Sequence, residues 1–187
     1  MKSISIKKIM KNIISRIKTL YIMKFKPNVE FLRHIGVKVG ENCRIYTRGF
    51  GKEPWLVTIG NKVTITSGCK FITHDGSTWL IEDEKGRRYL YKQIKVGNNV
   101  FIGVNSIILP GVNIEDNVVI AAGSVVTKSI PSGKIVGGNP AKIIGNFKDY
   151  EDKVLRNYIS HEEMNFNLPY KERINKVLDK TYKKELN

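Results

Sequence analysis

The sequence predicts an all-β solenoid carrying an N-terminal amphipathic helix and a helical C-terminal tail. Every sixth residue from Val96 to Val126 is aliphatic: Val96, Ile102, Ile108, Ile114, Ile120 and Val126. Three places after each stand Asn99, Asn105, Gly111, Asn117, Gly123 and Ser129, mostly residue types that tolerate the left-handed backbone of a tight corner. One place further come Val100, Ser106, Val112, Val118, Ser124 and Ile130, all compact or β-branched. An amphipathic helix repeats its apolar face every 3.6 residues, so three columns held at a period of six point to stacked short strands instead.

Taken in order, residues 1–30 form a basic helix. Ile6, Ile9, Met10, Ile13, Ile14, Ile17, Leu20 and Tyr21 fall on one stripe, with Lys7, Lys8, Lys11 and Lys18 largely off it. Two placements fit such a helix. The one we adopt is docking on the chain's own solenoid or a neighbouring subunit; the other is lying on an anionic inner leaflet. Residues 31–147 are the solenoid. Its upstream hexads run through Val39, Gly40, Asn42 and Cys43, then Ile45, Ile59 with Gly60, Ile65 with Gly68 and Cys69, and Phe71. Two interruptions, 47–58 and 75–93, are polar, aromatic and irregular. Insertions in repeat proteins leave the stack as loops on one face, often the binding face, so function is expected where the second loop departs. Residues 148–187 read as a charged helical tail broken near Pro169, with Val154, Leu155, Tyr158 and Ile159 as an apolar face suited to capping or subunit contact.

A chain of 187 residues is one folded body rather than two large domains. The net charge of +15 is uneven: residues 1–30 hold eight Lys/Arg against one Glu, and 148–187 hold nine against eight acids. Without a dense Arg/aromatic face or a recognisable nucleic-acid fold, no nucleic acid is expected as partner. Acidic small molecules, such as a nucleotide-bearing cofactor, and anionic membrane surfaces account for the charge equally well. Cys43 and Cys69 share a hexad position and read as buried free thiols, with neither a disulfide framework nor a zinc signature. There is no uninterrupted apolar signal segment and no run near the roughly 20 residues of a membrane span. The expected location is cytoplasmic, with peripheral contact at the inner membrane face if the helix meets lipid.

Val96 to Gly145 reads VGNNVFIGVNSIILPGVNIEDNVVIAAGSVVTKSIPSGKIVGGNPAKIIG. Its Ile102-Gly103, Pro110-Gly111-Val112, Ala122-to-Lys128 and Gly138-Asn139-Pro140-Ala141-Lys142 elements closely resemble the hexapeptide-repeat acyltransferases. That group contains maltose and galactoside acetyltransferases, streptogramin acetyltransferases and many polysaccharide O-acetyltransferases. The resemblance spans residues 39–145. It implies a left-handed parallel β-helix of triangular section, three hexads per turn, assembled as a homotrimer with active sites between subunits. Because left-handed crossovers are rare among parallel strands, the hand rests on the resemblance and not on the periodicity.

The resemblance also implies roles. His74, in Phe71-Ile72-Thr73-His74-Asp75-Gly76, sits in the corner column just before the long loop, at the place of the family's general base. An acceptor hydroxyl attacks a thioester poorly unless its proton is removed as the bond forms, a task suited to neutral imidazole. Asp75 either orients that imidazole or caps the turn into Gly76; Glu82 is a further alternative. Acetyl-CoA is the implied acyl donor, and no metal is expected. Gly103, Ala121, Ala122 and Gly123 supply the small neighbours that a backbone-bound pantetheine arm needs. Val104, Ala122, Thr127 and Lys142 match cofactor-contacting positions, with Lys142 and Lys128 as phosphate partners. Val104 stands where the family often has a hydroxyl, which leaves only main-chain contact there. Trp79, Tyr89 and Tyr91 suit stacking on a sugar, with Arg87 and Arg88 available for an anionic substituent.

The string His74-Asp75-Gly76-Ser77-Thr78-Trp79 most resembles O-acetyltransferases of surface-polysaccharide synthesis, and that resemblance implies transfer of an acetyl group to a sugar hydroxyl of a surface polysaccharide or its precursor. An alternative enzyme acetylates an amine of an amino or nucleotide sugar, or a small antibiotic. A non-enzymatic alternative is a trimeric scaffold at the membrane surface, against which His74 and the cofactor-type ending argue. A zinc hydratase on the same solenoid needs three converging histidines, whereas His34 precedes the hexads and His161 follows them.

Overall fold

The computed structural model describes residues 6–185. One compact unit ends at Phe147 and a second begins at Lys148. Helices α1 (Ile6–Phe25) and α2 (Asn28–His34) lead into very short strands: β1 (Lys38–Val39), β2 (Arg44–Ile45), β3 (Val57–Ile59), β4 (Thr64–Ile65) and β5 (Lys70–Phe71). A hairpin of β6 (Glu82–Asp83) and β7 (Gly86–Arg87) interrupts them. The repeat resumes as β8 (Ile94–Val96), β9 (Phe101–Ile102), β10 (Ile107–Ile108), β11 (Asn113–Ile114), β12 (Val119–Ile120) and β13 (Val125–Val126). It closes with β14 (Lys134–Gly137) and β15 (Lys142–Asn146).

These strands make three parallel sheets, visited in turn. The first holds β1, β3, β8 and β11, the second β2, β4, β9, β12 and β14, and the third β5, β10 and β13. Val96 pairs with Ile114, Ile102 with Ile120 and Ile108 with Val126, each partner lying three hexads further along the chain. Isolated bridges from Gly49 to Lys70 and from Ile130 to Ile114 extend the third and first sheets by a turn. Within these three sheets, among the described residues, β15 alone runs antiparallel, on β14.

The six-residue aliphatic column is the core. Ile59, Val96, Ile114 and Ile130 stack on the first sheet, and Ile45, Ile65, Ile102, Ile120 and Val136 on the second; Phe50, Phe71, Ile108 and Val126 complete the third, and all are buried. Each such side chain contributes roughly 1.5–3 kcal/mol of burial, so the repeat is held by its interior. Asn42, Asn99, Asn105 and Asn117 turn the corners with φ between 54° and 58°, and Gly111 and Gly123 also take positive φ. Ser129 does not; its hydroxyl instead accepts a bond from the Asn113 N–H at 3.0 Å.

Inside the corner before the third sheet, small polar side chains tie down carbonyls. Ser106 Oγ donates to Gly103 O at 2.7 Å, Ser124 Oγ to Ala121 O at 2.6 Å, and Cys69 Sγ to Gly103 O at 3.2 Å. Cys69 is buried and Cys43 partly so; both are free thiols.

Of the two docking sites expected for the α1 stripe, the chain's own coil is not the one it covers. Met10, Ile13, Ile14, Ile17, Leu20, Tyr21 and Phe25 are 51–64% exposed, because α1 meets the rest of its unit through other residues. Ile6, Ile9, Lys7, Lys8 and Lys11 have side chains outside those described.

The second unit comprises most of α3 (Phe147–Asn157) and α4 (Tyr170–Val177), neither of which buries a residue. Pro169 stands at the N-cap of α4, and the Arg173 guanidinium covers the Phe166 ring at 4.7 Å.

Candidate active site

Both insertions leave between the third sheet and the first, in consecutive turns. The first runs from Gly51 into a 3₁₀ turn at Pro54–Leu56, with Glu53 at the turn's N-cap. The second is stitched at its neck. The Asp75 N–H donates to Leu90 O at 3.1 Å and the Lys92 N–H to Thr73 O at 2.8 Å, while His74 bridges Tyr91 in antiparallel fashion. His74 keeps the sequence phase of the corner column but has no positive φ, because here the chain departs from the coil.

Glu53 joins the two insertions. Its Oε2 accepts the Thr73 hydroxyl at 2.8 Å and lies 2.9 Å from His74 Nδ1. The carboxylate is largely covered, 14% exposed, and the imidazole is 39% exposed. The Thr73 bond, and after it the contact with His74, holds the Glu53 carboxyl below its ordinary value against the opposing effect of burial. An ionised carboxylate can only accept, so Nδ1 is the donor in this contact, and in the neutral ring that tautomer leaves the lone pair on Nε2.

Asp75 does something else. It caps the 3₁₀ turn Gly76–Leu80, accepting the Ser77 N–H at 2.8 Å and the Ser77 hydroxyl at 2.6 Å. Those bonds from Ser77 lower its carboxyl pKa. Of the two roles open to Asp75, these bonds serve the turn cap, and the carboxylate on the ring is that of Glu53. Glu82, the other alternative, sits in the β6–β7 hairpin opposite Arg87.

His74 and Asp75 border a groove of about 420 Å³. Ile72, Leu90, Leu109 and Pro110 give it an apolar wall, and Thr127 closes it one turn further along the coil. Lys92 also lines it; a side chain at Gly111 would meet the Lys92 stem at 2.8 Å. A wider hollow of about 560 Å³ over Asn28, Ile45 and Arg48 contains none of the catalytic, cofactor or acceptor residues expected from the sequence.

The other predicted residues divide between two edges of the third sheet. Thr127 and Lys128 follow β13, as His74 follows β5. Lys128 lines a smaller cleft of about 180 Å³ with Pro131 and Ala141. Gly103 and Val104 precede β10, and Ala121 and Ala122 precede β13, so they stand at the opposite end of the same strands. Within one chain this separates them from His74 by roughly 15 Å of extended backbone. Gly103 is buried, and a Cβ there would lie 2.4 Å from Ala122 N, so its smallness is required by coil stacking. Val104, Ala122 and Lys142 are exposed, and a Cβ built on Gly123 meets nothing within 4 Å. This edge has room for a narrow chain to lie along it.

The loop residues are partly occupied. The Arg87 guanidinium lies between the Trp79 and Tyr89 rings, 4.8 and 4.6 Å from their centroids. Arg88 is paired with Asp83 and donates to Gly86 O at 2.9 Å. Trp79 remains 70% exposed. The sequence reading missed Glu53 and Lys92. Available signals were an acid inside the first interruption and a Lys at the closing neck of the second.

Residues 93–128 match the family model for the hexapeptide repeat of succinyl-transferase. The chain is 46% identical over 151 residues to Protein CapG of Staphylococcus aureus, covering 79% of this chain and 88% of that one. It is 33% identical over 124 residues to the galactoside O-acetyltransferase of Escherichia coli, covering 66% of this chain and 61% of that enzyme. Among solved structures, a hexapeptide-repeat acetyltransferase from Vibrio cholerae complexed with acetyl coenzyme A superposes with a TM-score of 0.55 at 25% identity, over 79% of this chain and 93% of that one. The repeat, the coil it builds and these similarities agree: the chain belongs to the hexapeptide-repeat acetyltransferase family and is an acyltransferase.

Proposed function

We propose that this protein is an acetyl-CoA-dependent O-acetyltransferase acting on a sugar hydroxyl of a surface polysaccharide or its precursor, with His74 as general base. The observation that carries the base assignment is the Glu53–His74 contact at 2.9 Å on the rim of an apolar-walled groove. His74 accepts the hydroxyl proton at Nε2, and Glu53 stabilises the imidazolium that results. The same nitrogen then releases the proton to the leaving group. Such positioned proton transfer contributes typically about 10²–10⁴ in rate. The E. coli relative is named for O-acetylation of a galactoside, which favours a hydroxyl over an amine acceptor.

When bound, acetyl-CoA supplies the activated acetyl group. The open edge at Val104, Ala122 and Gly123 suits its pantetheine arm, and the exposed Lys142 and Lys128 suit its phosphates. We place the coil in the left-handed β-helix class and its assembly as a homotrimer. In a trimer, the His74 edge of one subunit faces the cofactor edge of another, which reunites residues held apart within each chain. Trp79 and Lys92 would then contact the acceptor. In this reading α1 and α2 lead into the coil, the coil carries catalysis, and α3 and α4 form the tail.

The test is release of free thiol from acetyl-CoA against a panel of neutral, amino and acidic sugars, with the product bond identified by its lability to mild alkali. An alkali-labile ester on a sugar is the expected product. A stable amide formed on amino sugars alone would replace the O-acetyl reading with N-acetylation. No acceptor-dependent thiol release across the panel would remove the sugar assignment.

A further inference from the structure

Helix α1 is fastened by the side opposite its apolar stripe. Ile22 and Met23 pack partly against the core, Thr19 Oγ1 lies 2.9 Å from His34 Nε2, and Met23 O accepts from Arg48 at 2.8 Å. At about 100° per residue these positions share one face. Met10, Ile13, Ile17, Leu20 and Tyr21 lie on the reverse, and every one of them is more than half exposed. The helix is thus held by its own body in a pose that turns its apolar stripe outward.

The charge of α1 selects what can cover that stripe. Its 20 residues include Lys7, Lys8, Lys11, Arg16, Lys18 and Lys24 and no acid. Two such helices laid stripe to stripe would bring together a dozen like charges. An anionic surface neutralises them instead, each nearby Lys or Arg strengthening binding about fivefold. At about 30 Å the helix is long enough to rest across many headgroups, yet no helix among the described residues is long and apolar enough to cross a membrane. Near its end Tyr21 and Phe25 stand together, ring centroids 5.3 Å apart, an aromatic pair suited to the boundary between headgroups and acyl chains.

We propose that α1 lies in the surface of an anionic lipid bilayer, its Met10–Leu20 stripe among the upper acyl segments and its basic residues at the phosphates. The coil is thereby held at the lipid surface. This does not depend on the identity of the acceptor or on His74 chemistry.

Flotation of the full-length protein with vesicles of phosphatidylcholine containing 30 mol% phosphatidylglycerol tests it, with pure phosphatidylcholine as the comparison. Binding to the anionic vesicles should exceed that to neutral ones at least about tenfold and fall steeply with added salt. The variant Ile13→Glu/Ile17→Glu should lose binding by a similar factor while its melting temperature and thiol release on a soluble acceptor stay as in the parent. Equal binding to both vesicles, no binding to either, or binding retained by the variant would overturn the proposal. So would a lowered melting temperature or a smaller sedimenting species in the variant, either of which would make the stripe a protein contact. Because vesicle binding and turnover are read separately, an inactive protein that still floats would count against the catalytic reading alone.

Discussion

The corner that precedes β5, β10 and β13 is the same in turn after turn, whereas the corner that follows those strands is broken twice. In the first, Gly68, Asn105 and Gly123 all take positive φ, and Cys69, Ser106 and Ser124 bond inward to the carbonyls of Gly103 and Ala121. In the second, the chain leaves at Gly51 and again at His74, and Glu53 and His74 meet across two excursions that share no repeat. A stacked corner leaves little freedom, since each residue must fit the turn above and below. An interrupted corner releases two or three positions from that constraint, and those positions hold the groups with chemistry. Substitutions in the two corners should therefore fail differently: by lost turnover in one, by lost stability in the other.

The largest effect belongs to the interrupted corner. His74→Ala should lower turnover about 10²–10⁴-fold with melting temperature and acetyl-CoA binding essentially unchanged. Near-parental thiol release by this variant would break the comparison at its centre. Glu53→Gln should cost about 1.5–3 kcal/mol, roughly tenfold to a hundredfold in turnover, because it removes the carboxylate charge beside the ring while keeping an acceptor in place. It carries a stability signature too. The Glu53 carboxyl is depressed in the folded state, so its contribution is complete above the ordinary value of 4.5 and is lost as pH falls through the depressed one. Acid melts of parent and variant should converge over that window. Parallel melts would mean that the Thr73 and His74 contacts do not stabilise the carboxylate.

The two corners face each other only between copies if the site is shared. His74→Ala chains mixed with Ala122→Trp chains, then unfolded and refolded together, should regain activity. At equal ratio about a quarter of the interfaces would join an intact base to an intact edge. Activity no greater than the sum of the two variants would place both edges in one subunit's site, or place the cofactor elsewhere.

Much of the coil was legible because its constraint is repeated. One aliphatic residue every six is visible wherever the strands stack without interruption, and Asn or Gly three places later marks the corner that needs positive φ. The pairing of Glu53 with His74 was not legible, since nothing in the residues between 53 and 74 specifies that two irregular segments meet. The phase still held a clue. Both interruptions follow a third-sheet position, Phe50 in one turn and Phe71 in the next, which are stacked with ring centroids 4.6 Å apart, so an acid in the upstream loop was the natural neighbour of the histidine. Asp75 was the more obvious reading because it is adjacent in sequence, but an Asp before Gly-Ser finds its donors two residues on. The α1 stripe was visible as a stripe; which side of the helix would be fastened depended on Thr19, Ile22 and Met23, three residues that no period singles out.

Gly103→Ala probes the regular corner. The new Cβ would stand 2.4 Å from the Ala122 nitrogen and 2.8 Å from the Ala121 carbonyl carbon, with backbone on the receiving side. Overpacking against atoms that cannot rotate away should destabilise by about 1–3 kcal/mol, read as a lower melting temperature, while turnover per folded molecule falls much less than in His74→Ala. An unchanged melting temperature would show that the stack can open there, and the contrast between the corners would weaken.

Asp75→Ala should have the smallest effect of the series, although its neighbour is the proposed base. The carboxylate takes two bonds from Ser77 and caps a single 3₁₀ turn, so its loss should cost about 0.5–2 kcal/mol of local stability. The neck of the loop is held separately by backbone bonds at Thr73 and Asp75, and those survive the substitution. Turnover should stay within a few-fold of the parent, with the pH dependence of turnover unmoved, whereas Glu53→Gln should move it. A shift in the profile of Asp75→Ala as large as that of Glu53→Gln would restore Asp75 as the residue that positions the imidazole, and would mean that Glu53 turns away from the ring during turnover.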